Sequence, residues 1–351
     1  MEYRDKLHYI MSRKVVRLIM MCLLGITLLS SCSNSFIFDD EGDCEKHYYV
    51  RYVFDMNMNF ADAFASKVSS VYLYIFDKET GDLVKIYKES GEKLKQPGYR
   101  MEVDVDPGAY ELIAWCGLEN NDDLFTLPEQ ISNREHAHCT LAREYNHEGR
   151  AVQNKWLPTL FHGKEAVEFP DIQEGVYEVV IPLIKDTNNI NLSMQHVGGQ
   201  TLTSDMFTVT MTDGNGHLSH DNSVLEDEEI DYYPWHVADG NVDLTPTRDG
   251  EDLLNFFRAE ISTSRLMADR DPRINIVDNA TGNVVYSIPI VKWALELRSE
   301  QHSYMGNQEY LDREDEYNIM LYLDNKDERG WIAASIFING WRLVDHEGTD
   351  M

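Results

Sequence analysis

Hydrophobic and polar residues alternate with a period of two over much of this chain, and helical periodicity is rare. Every second residue from Tyr48 to Phe54 is apolar or aromatic, which places one face of a strand against a core. Residues 71–76 are apolar on both faces and predict a central strand of a packed sandwich. The same alternation predicts strands at residues 101–106, 110–116, 176–183, 190–194, 207–211, 273–277, 284–288, 291–297, 317–323 and 331–341.

Turn sequences such as Thr80-Gly81, Pro107-Gly108 and Asn339-Gly340 separate these segments. Short strands separated by turns predict an all-β protein built from sandwiches rather than from βαβ units. The length of 351 residues suits two domains. We place them at residues 44–185 and 186–351, where the polar residues 185–189 fit a hinge and a turn between two strands equally well. Residues 118–160 are polar and long for a loop, with few candidate strand residues.

The N-terminus has the features of a bacterial export signal. A basic segment at residues 12–17 precedes 12 apolar residues, 18–29, which are too few to span a bilayer and suit the core of a signal peptide. Met11 lies directly before the basic segment and is the expected true start. Leu29-Ser30-Ser31-Cys32 resembles a lipobox, which predicts cleavage between Ser31 and Cys32 and acylation of Cys32. The alternatives are an ordinary signal peptide with a chance cysteine, or a buried N-terminal helix.

Residues 32–43 form the predicted lipidated tether, with an acidic run at residues 39–43. Such a run is similar to the signals that export lipoproteins to the cell surface, and a solvated linker explains it equally well. The formal charge of the chain is −30, from 31 basic and 61 acidic residues. This balance excludes binding to nucleic acid and electrostatic attachment to anionic lipid, both of which need basic clusters.

Cysteine pairing cannot be assigned from the sequence. Removal of the signal peptide and acylation of Cys32 leave Cys44, Cys116 and Cys139, which allow at most one disulfide. Cys116 follows Trp115 in an apolar strand and is expected to be a packed core thiol.

No catalytic, metal or cofactor site is predicted, and we expect no enzyme. His147-Glu148 begins like a zinc-protease helix, but Ala151 replaces the second histidine. His136, His138 and Cys139 could together hold a soft metal, but they lack the spacing of a structural zinc site, so we interpret the two histidines as surface residues. The segment from Asp213 to His217 begins like a calcium loop and then departs from its pattern, so we interpret it as a turn.

Ordered motifs along nearly the whole mature chain resemble the FimB-type fimbrial anchor and assembly lipoproteins, from the type V fimbriae of anaerobic Gram-negative bacteria. Characteristic stretches are Leu160-Phe161-His162-Gly163 and Thr263-Ser264-Arg265-Leu266. The others lie at residues 55–64, 71–77, 107–117, 183–188, 221–225, 230–234, 309–317 and 338–341.

This resemblance implies two β-sandwich domains of transthyretin-like or immunoglobulin-like topology and a non-enzymatic role in fimbria assembly. Shaft subunits of such systems lose an N-terminal strand to a protease, and the groove then accepts a strand from the next subunit. An anchor escapes that cleavage, keeps its lipid in the outer membrane, holds the fibre base and limits fibre length. The implied partners are fimbrial shaft or accessory subunits.

The C-terminal residues 342–351 contain too few alternating apolar residues for a good donor strand, so we expect another face to contact the fibre.

Two other functions are compatible with the sequence. A surface glycan-binding or adhesin lipoprotein would use tryptophans for sugar stacking; the candidates are Trp235, Trp293, Trp331 and Trp341, of which Trp293 and Trp331 read as core residues. An envelope hydrolase would be supported only by the abundance of carboxylates.

Overall fold

The computed structural model describes residues 45–118, 124–128, 130–243, 253–325 and 330–343. Strands dominate these residues, which confirms the all-β fold. Strands β1–β11 are Lys46–Val53, Ser70–Asp77, Leu83–Ser90, Met101–Val103, Gly108–Cys116, Phe125–Thr126, Cys139–Leu141, Glu144–Tyr145, Ala151–Gln153, Phe161–Phe169 and Gly175–Lys185. Strands β12–β22 are Thr187–His196, Phe207–Asp213, His217–Leu218, Ile230–Tyr232, His236–Asp243, Leu253–Ser264, Arg273–Asp278, Val284–Pro289, Glu316–Asp324, Ile332–Ile338 and Trp341–Leu343.

Helices are short and few among the described residues. They are α1 (Phe64–Lys67), α2 (Ile290–Glu296) and α3 (Asn307–Arg313). Three 3₁₀ turns lie at Gly91–Lys95, Arg134–His136 and Glu300–His302. None of these described helices is long and apolar enough to cross a membrane.

The first sheet has seven strands in the order β3-β2-β5-β10-β11-β1-β4 and separates into two layers between β10 and β11. Strand β10 pairs with β5 along its whole length but with β11 only over Phe161–Gly163. Gly163 permits this close crossing, because a Cβ there would lie 2.5 Å from Ile181 Cγ2 and 2.9 Å from the Pro182 carbonyl oxygen. The two layers enclose the N-terminal core, which includes Val50, Tyr52, Leu73, Leu112 and Leu183.

Strand β2 confirms the expectation of a strand that is buried on both faces. Leu73 and Ile75 lie in the N-terminal core, whereas Tyr74 and Phe76 point to a second core. The second core also holds Trp115 and extends through the remaining sheets. Each face of β2 packs against a different core, so the strand is apolar on both faces.

Two six-stranded sheets surround most of the second core. Their orders are β16-β17-β12-β20-β21-β22 and β19-β18-β13-β15-β9-β8. Most pairs are antiparallel, but β12 runs parallel to β20 and β15 runs parallel to β9. Strands β8 and β9 precede residue 186 and yet belong to the last of these sheets. Between β11 and β12 only Asp186 intervenes. The predicted division into residues 44–185 and 186–351 stays a prediction.

The strand predicted at residues 291–297 is wrong, because this segment forms helix α2. Ile290, Val291, Trp293 and Ala294 are its buried residues, which is the spacing of a helix face. The segment 118–160, expected to be mostly loop, contains the short strands β6 to β9 among its described residues. Among the longer strands, β3, β10, β16 and β17 were not predicted.

Candidate functional site

A buried cluster of charged and amide side chains forms where β11 passes into β12. Arg265, directly after β17, donates two hydrogen bonds to the Asp312 carboxylate on α3, at 2.8 and 2.7 Å. Its third donor reaches the backbone carbonyl of Asn222 at 2.6 Å. The Asn222 amide in turn donates to Asp186 Oδ1 at 2.9 Å. All four residues are buried, so this junction cluster (Asp186, Asn222, Arg265 and Asp312) is held together without solvent.

The local backbone explains why these residue types meet. Asn222 has a φ of +66°, a left-handed conformation that asparagine tolerates better than most residues. The backbone N–H of Asn222 donates a hydrogen bond to the carbonyl of Ser219, which closes a tight turn. This turn directs the Asn222 side chain towards Asp186. The fork of the arginine side chain matches the two oxygens of Asp312, which a lysine could not do.

Asp186 has an unusual electrostatic environment in this cluster. Burial raises its pKa to about 7, and the nearby Asp312 acts in the same direction, while Arg265 and Asn222 oppose the shift. Arg265 Nε lies 3.9 Å from Asp186 Oδ1. Asp186 Oδ2 has no hydrogen-bond partner within the described part of the chain. Because its pKa lies near 7, the Asp186 side chain keeps its proton at acidic pH and loses it near neutral pH.

We expect Asp186→Asn to flatten the pH dependence of stability between pH 4 and pH 7. The unfolded chain releases the Asp186 proton near pH 4, whereas the folded chain holds it to about pH 7. The stabilisation from this group is therefore complete below pH 4 and is lost as the pH rises to 7, with an upper limit of about 4 kcal/mol. Urea unfolding at several pH values measures it, with the exposed Asp269→Asn as control. Parallel curves for wild type and Asp186→Asn would contradict the assignment.

Several further residues surround the junction cluster, and most of them lie in the motifs of the family resemblance. Asn188 Oδ1 accepts from the Leu266 amide at 3.1 Å, and Asn215 donates to the carbonyls of Ser264 and Arg265 at 3.1 and 3.0 Å. Lys185 forms an ion pair with Asp315. Together with the junction cluster, these residues come from five separate stretches of the sequence, and the structure brings them together to hold strands and turns in place.

His162, from the motif Leu160-Phe161-His162-Gly163, also has a packing role. It is buried, and its Nε2–H donates to the His220 carbonyl at 3.0 Å. Burial lowers the pKa of His162 to about 3, so the ring stays neutral in this position. Its ring packs against Trp115 with a centroid distance of 4.6 Å. A neutral, hydrogen-bonded imidazole against an indole is a packing residue and offers no free base to a substrate.

The N-terminal strand β1 fills the groove between β11 and β4. Tyr48, Val50 and Tyr52 on one face are buried in the N-terminal core, as the alternation predicts. Tyr52 stacks on Phe64 with a centroid distance of 5.6 Å and lies 3.4 Å from Met101 Sδ. The chain therefore completes its first sheet with its own strand.

The last described strand, β22, is an edge strand that pairs with β21. Its register places Leu343 opposite Ile336 and Trp341 opposite Ile338. Arg342 and Leu343 are thus already used by the fold, and residues 344–351 lie outside the described residues.

The predicted site residues are mostly dispersed. Cys32, Ser31 and Cys44 lie outside the described residues. Cys116 and Cys139 are free and buried, and burial raises the pKa of both thiols, which makes them unreactive. The His147 side chain is 90% exposed, and its Nε2 lies 3.7 Å from Oε1 of the adjacent Glu148.

The segment from Asp213 to His217 supplies structural contacts. Asp213 accepts from Arg270 at 2.6 Å, and Asn215 holds the backbone near Arg265. No group of three or more His, Cys, Asp or Glu side chains in the described ranges is arranged to hold a metal ion.

The tryptophans divide into buried and exposed residues. Trp293 is buried on α2, and Trp331 packs against His196 and Phe207. Trp235 is 40% exposed, and the structure adds Trp156, which is 52% exposed and was missed because its segment read as the end of a loop. Both tryptophans follow, by three residues, the ends of the parallel neighbours β9 and β15.

Residues 40–347 match the family described as fimbrillin-A associated anchor proteins Mfa1 and Mfa2. The chain belongs to this family. No curated protein sequence matches it. The family assignment confirms the resemblance found in the sequence, and the junction cluster now gives several of its motifs a structural role.

Solved structures place the fimbrial anchor fold across most of the chain. A Bacteroides thetaiotaomicron protein studied as a candidate adhesin is 30% identical, with a TM-score of 0.74 over 87% of this chain and 99% of its own. A second protein from that organism, studied as a candidate polysaccharide-binding protein, is 29% identical, with a TM-score of 0.72 over 87% and 100%. The fimbrial anchor protein Mfa2 from Porphyromonas gingivalis is 15% identical and shares the fold, with a TM-score of 0.63 over 86% and 100%.

Proposed function

We propose that this chain is an outer-membrane lipoprotein that anchors and assembles a fimbria, holds the base of the fibre and limits its length. The observation that carries the proposal is the match to the fimbrial anchor family over residues 40–347. The role is structural and non-enzymatic, and the partners are fimbrial shaft or accessory subunits. In this role the protein needs a membrane attachment, a filled strand groove and a face for the first shaft subunit.

Cys32 supplies the membrane attachment in this proposal. Cleavage between Ser31 and Cys32 would leave a cysteine that is acylated on its sulfur and its amino group, with palmitate among the chains. Each buried CH₂ contributes about 0.8 kcal/mol, so several acyl chains hold the protein in the outer membrane permanently. Strand β1 begins at Lys46, so the tether extends at most about 50 Å and keeps the folded body near the membrane or cell surface.

The filled groove supports a position at the end of the fibre. In the strand-exchange assembly implied by the resemblance, a shaft subunit loses its N-terminal strand and accepts another in its place. Strand β1 occupies that position here, with its aromatic side chains in the N-terminal core. A subunit that keeps this strand cannot accept a donor strand there, so it terminates the chain of subunits.

We expect Cys32→Ala to abolish attachment of the fibre to the outer membrane. The measurement is purification of a C-terminally tagged chain from detergent-solubilised outer membranes after mild crosslinking, followed by mass spectrometry and a denaturing gel. Wild type should give a ladder of higher bands that contain a second two-domain β-protein, and Cys32→Ala should lose it. Cys116→Ser, which alters a buried thiol and leaves Cys32 in place, is the matched control. A single band at the mass of the lipidated monomer would contradict the anchoring role.

Deletion of residues 344–351 is expected to leave fibre attachment intact. The deletion spares β22, so the sheet β16-β17-β12-β20-β21-β22 keeps its edge strand. The segment has too few apolar residues to act as a donor strand, so the contact with the shaft uses another face. The same crosslinked ladder measures this. Its loss in a deletion variant that still folds would assign the contact to the tail.

A surface glycan-binding or adhesin role is the second candidate, favoured by the exposed Trp156 and Trp235 at the ends of adjacent parallel strands. Exposed indoles provide flat apolar platforms with a polar N–H. Binding of the purified chain to a glycan array, lost in the Trp156→Ala and Trp235→Ala variants and kept in Tyr304→Ala, would establish this role. Absence of binding to any glycan on the array would contradict this role.

A further inference from the structure

Two histidines from separate parts of the chain meet on one face of the small sheet β14-β7-β6. In the antiparallel pairing of β7 with β14, His217 lies opposite Thr140 and Leu218 lies opposite Cys139. His138 directly precedes β7, so it is the diagonal neighbour of His217 on the same face. Their ring centroids are 4.7 Å apart with an interplanar angle of 78°.

The His217 ring contains a nitrogen that the protein leaves unsatisfied. Nε2 is inaccessible to solvent and has no hydrogen-bond partner among the residues that the structure describes. A buried polar nitrogen without a partner is costly and uncommon in folded proteins. The His138 ring lies directly beside it, so the orphaned nitrogen belongs to a pair of imidazoles.

The second imidazole, His138, forms a hydrogen bond with the Glu135 backbone carbonyl. A neutral imidazole has one nitrogen lone pair available for a ligand. A hydrogen bond from a ring to a backbone carbonyl is also the usual way in which a metal-bound histidine is oriented.

We propose that His138 and His217 together bind one divalent transition-metal ion of the Zn²⁺, Ni²⁺ or Cu²⁺ class. These ions accept imidazole nitrogen, whereas Ca²⁺ and Mg²⁺ require oxygen ligands. Cys139 does not contribute, because its side chain is buried in the second core. Water molecules complete the coordination from the half-exposed side of His138. The ion joins β7 to β14 and thereby fixes the segment at residue 138 against the one at residue 217.

The full chain is purified in detergent, stripped of metal with a chelator and then titrated with Zn²⁺ alone. Calorimetry is expected to show one Zn²⁺ site per chain. The midpoint temperature of thermal unfolding should rise by about 4 °C at a Zn²⁺ concentration 100 times the dissociation constant. His138→Gln and His217→Gln should each abolish both signals, and the double variant should lose nothing more. His147→Gln changes an exposed histidine outside the pair and should bind like the wild type.

Three results would overturn the proposal. One is the absence of a stoichiometric Zn²⁺ site in the wild type, and another is a site that persists in both single variants, as surface carboxylates would give. The third is an equal response to Ca²⁺. If His217→Gln fails to fold, His138→Gln with Co²⁺ absorption as readout decides the question, since imidazole ligands shift and strengthen the ligand-field bands relative to those of hydrated Co²⁺.

Discussion

Arg265→Ala is expected to lower the free energy of unfolding by about 3–5 kcal/mol, because it leaves the buried Asp312 carboxylate without its cation. Arg265 donates to both oxygens of Asp312 and to the carbonyl of Asn222, and its Nε lies 3.9 Å from Asp186 Oδ1. All of these groups are buried, so water cannot replace the lost hydrogen bonds. Urea unfolding of the detergent-purified chain at pH 7, followed by tryptophan fluorescence, measures the change.

Arg258→Ala is the matched control for this prediction. Arg258 lies on β17, seven residues before Arg265, and pairs with Glu260 at 2.8 Å while nearly half of its side chain is exposed. An exposed pair contributes about 0–1 kcal/mol, so the control should change stability little. Arg265→Lys should fall between the two, because lysine keeps the charge and loses the two-pronged contact. Equal losses for Arg265→Ala and Arg258→Ala would mean that the junction cluster does not stabilise the fold.

The contacts within the junction cluster could not be predicted from the sequence. Asp186, Asn222, Arg265 and Asp312 all lie in motifs that carried the family resemblance, but their contacts join residues between 36 and 79 positions apart. In a chain with 61 acidic residues, no local pattern distinguishes the buried Asp312 from a solvated one. Their shared role became visible only when the fold brought the four stretches together.

The strands were predictable where one face or both faces of a sheet meet a core. The alternation at β1 and the apolar run at β2 both correspond to the observed burial. The failure at α2 has a simple origin, because Val291, Trp293 and Leu295 alternate as in a strand, while Ile290 and Ala294 complete a helix face. A segment of seven residues is too short for periodicity to distinguish the two. Strand β17 was missed since small and polar residues occupy part of its buried face.

The pair of His138 and His217 was also beyond reach of the sequence. Each histidine belongs to a weak motif that was set aside separately, and 79 residues separate them. The cross-strand register of β7 and β14 is a tertiary property, and no spacing rule for metal sites spans such a distance.

Tyr52→Ala is expected to lower the free energy of unfolding by about 3–5 kcal/mol, because it removes a large aromatic side chain from the N-terminal core and leaves a cavity. Tyr52 is 2% exposed, stacks on Phe64 and contacts Met101 Sδ. It is one of three buried side chains that hold β1 in its groove, together with Tyr48 and Val50. Urea unfolding measures the loss, and limited proteolysis in the loop after β1 shows whether the strand detaches first.

Arg51→Ala tests whether the loss comes from the core-facing side of β1. Arg51 is the neighbour of Tyr52 on the opposite face and forms a partly exposed ion pair with Glu178 at 3.0 Å. Removing such a pair should cost no more than about 1 kcal/mol. If Arg51→Ala and Tyr52→Ala destabilise the chain equally, the buried face does not retain the strand. If only Tyr52→Ala does so, and the loop after β1 becomes sensitive to protease, then the aromatic side chains keep the groove closed to a donor strand from another subunit.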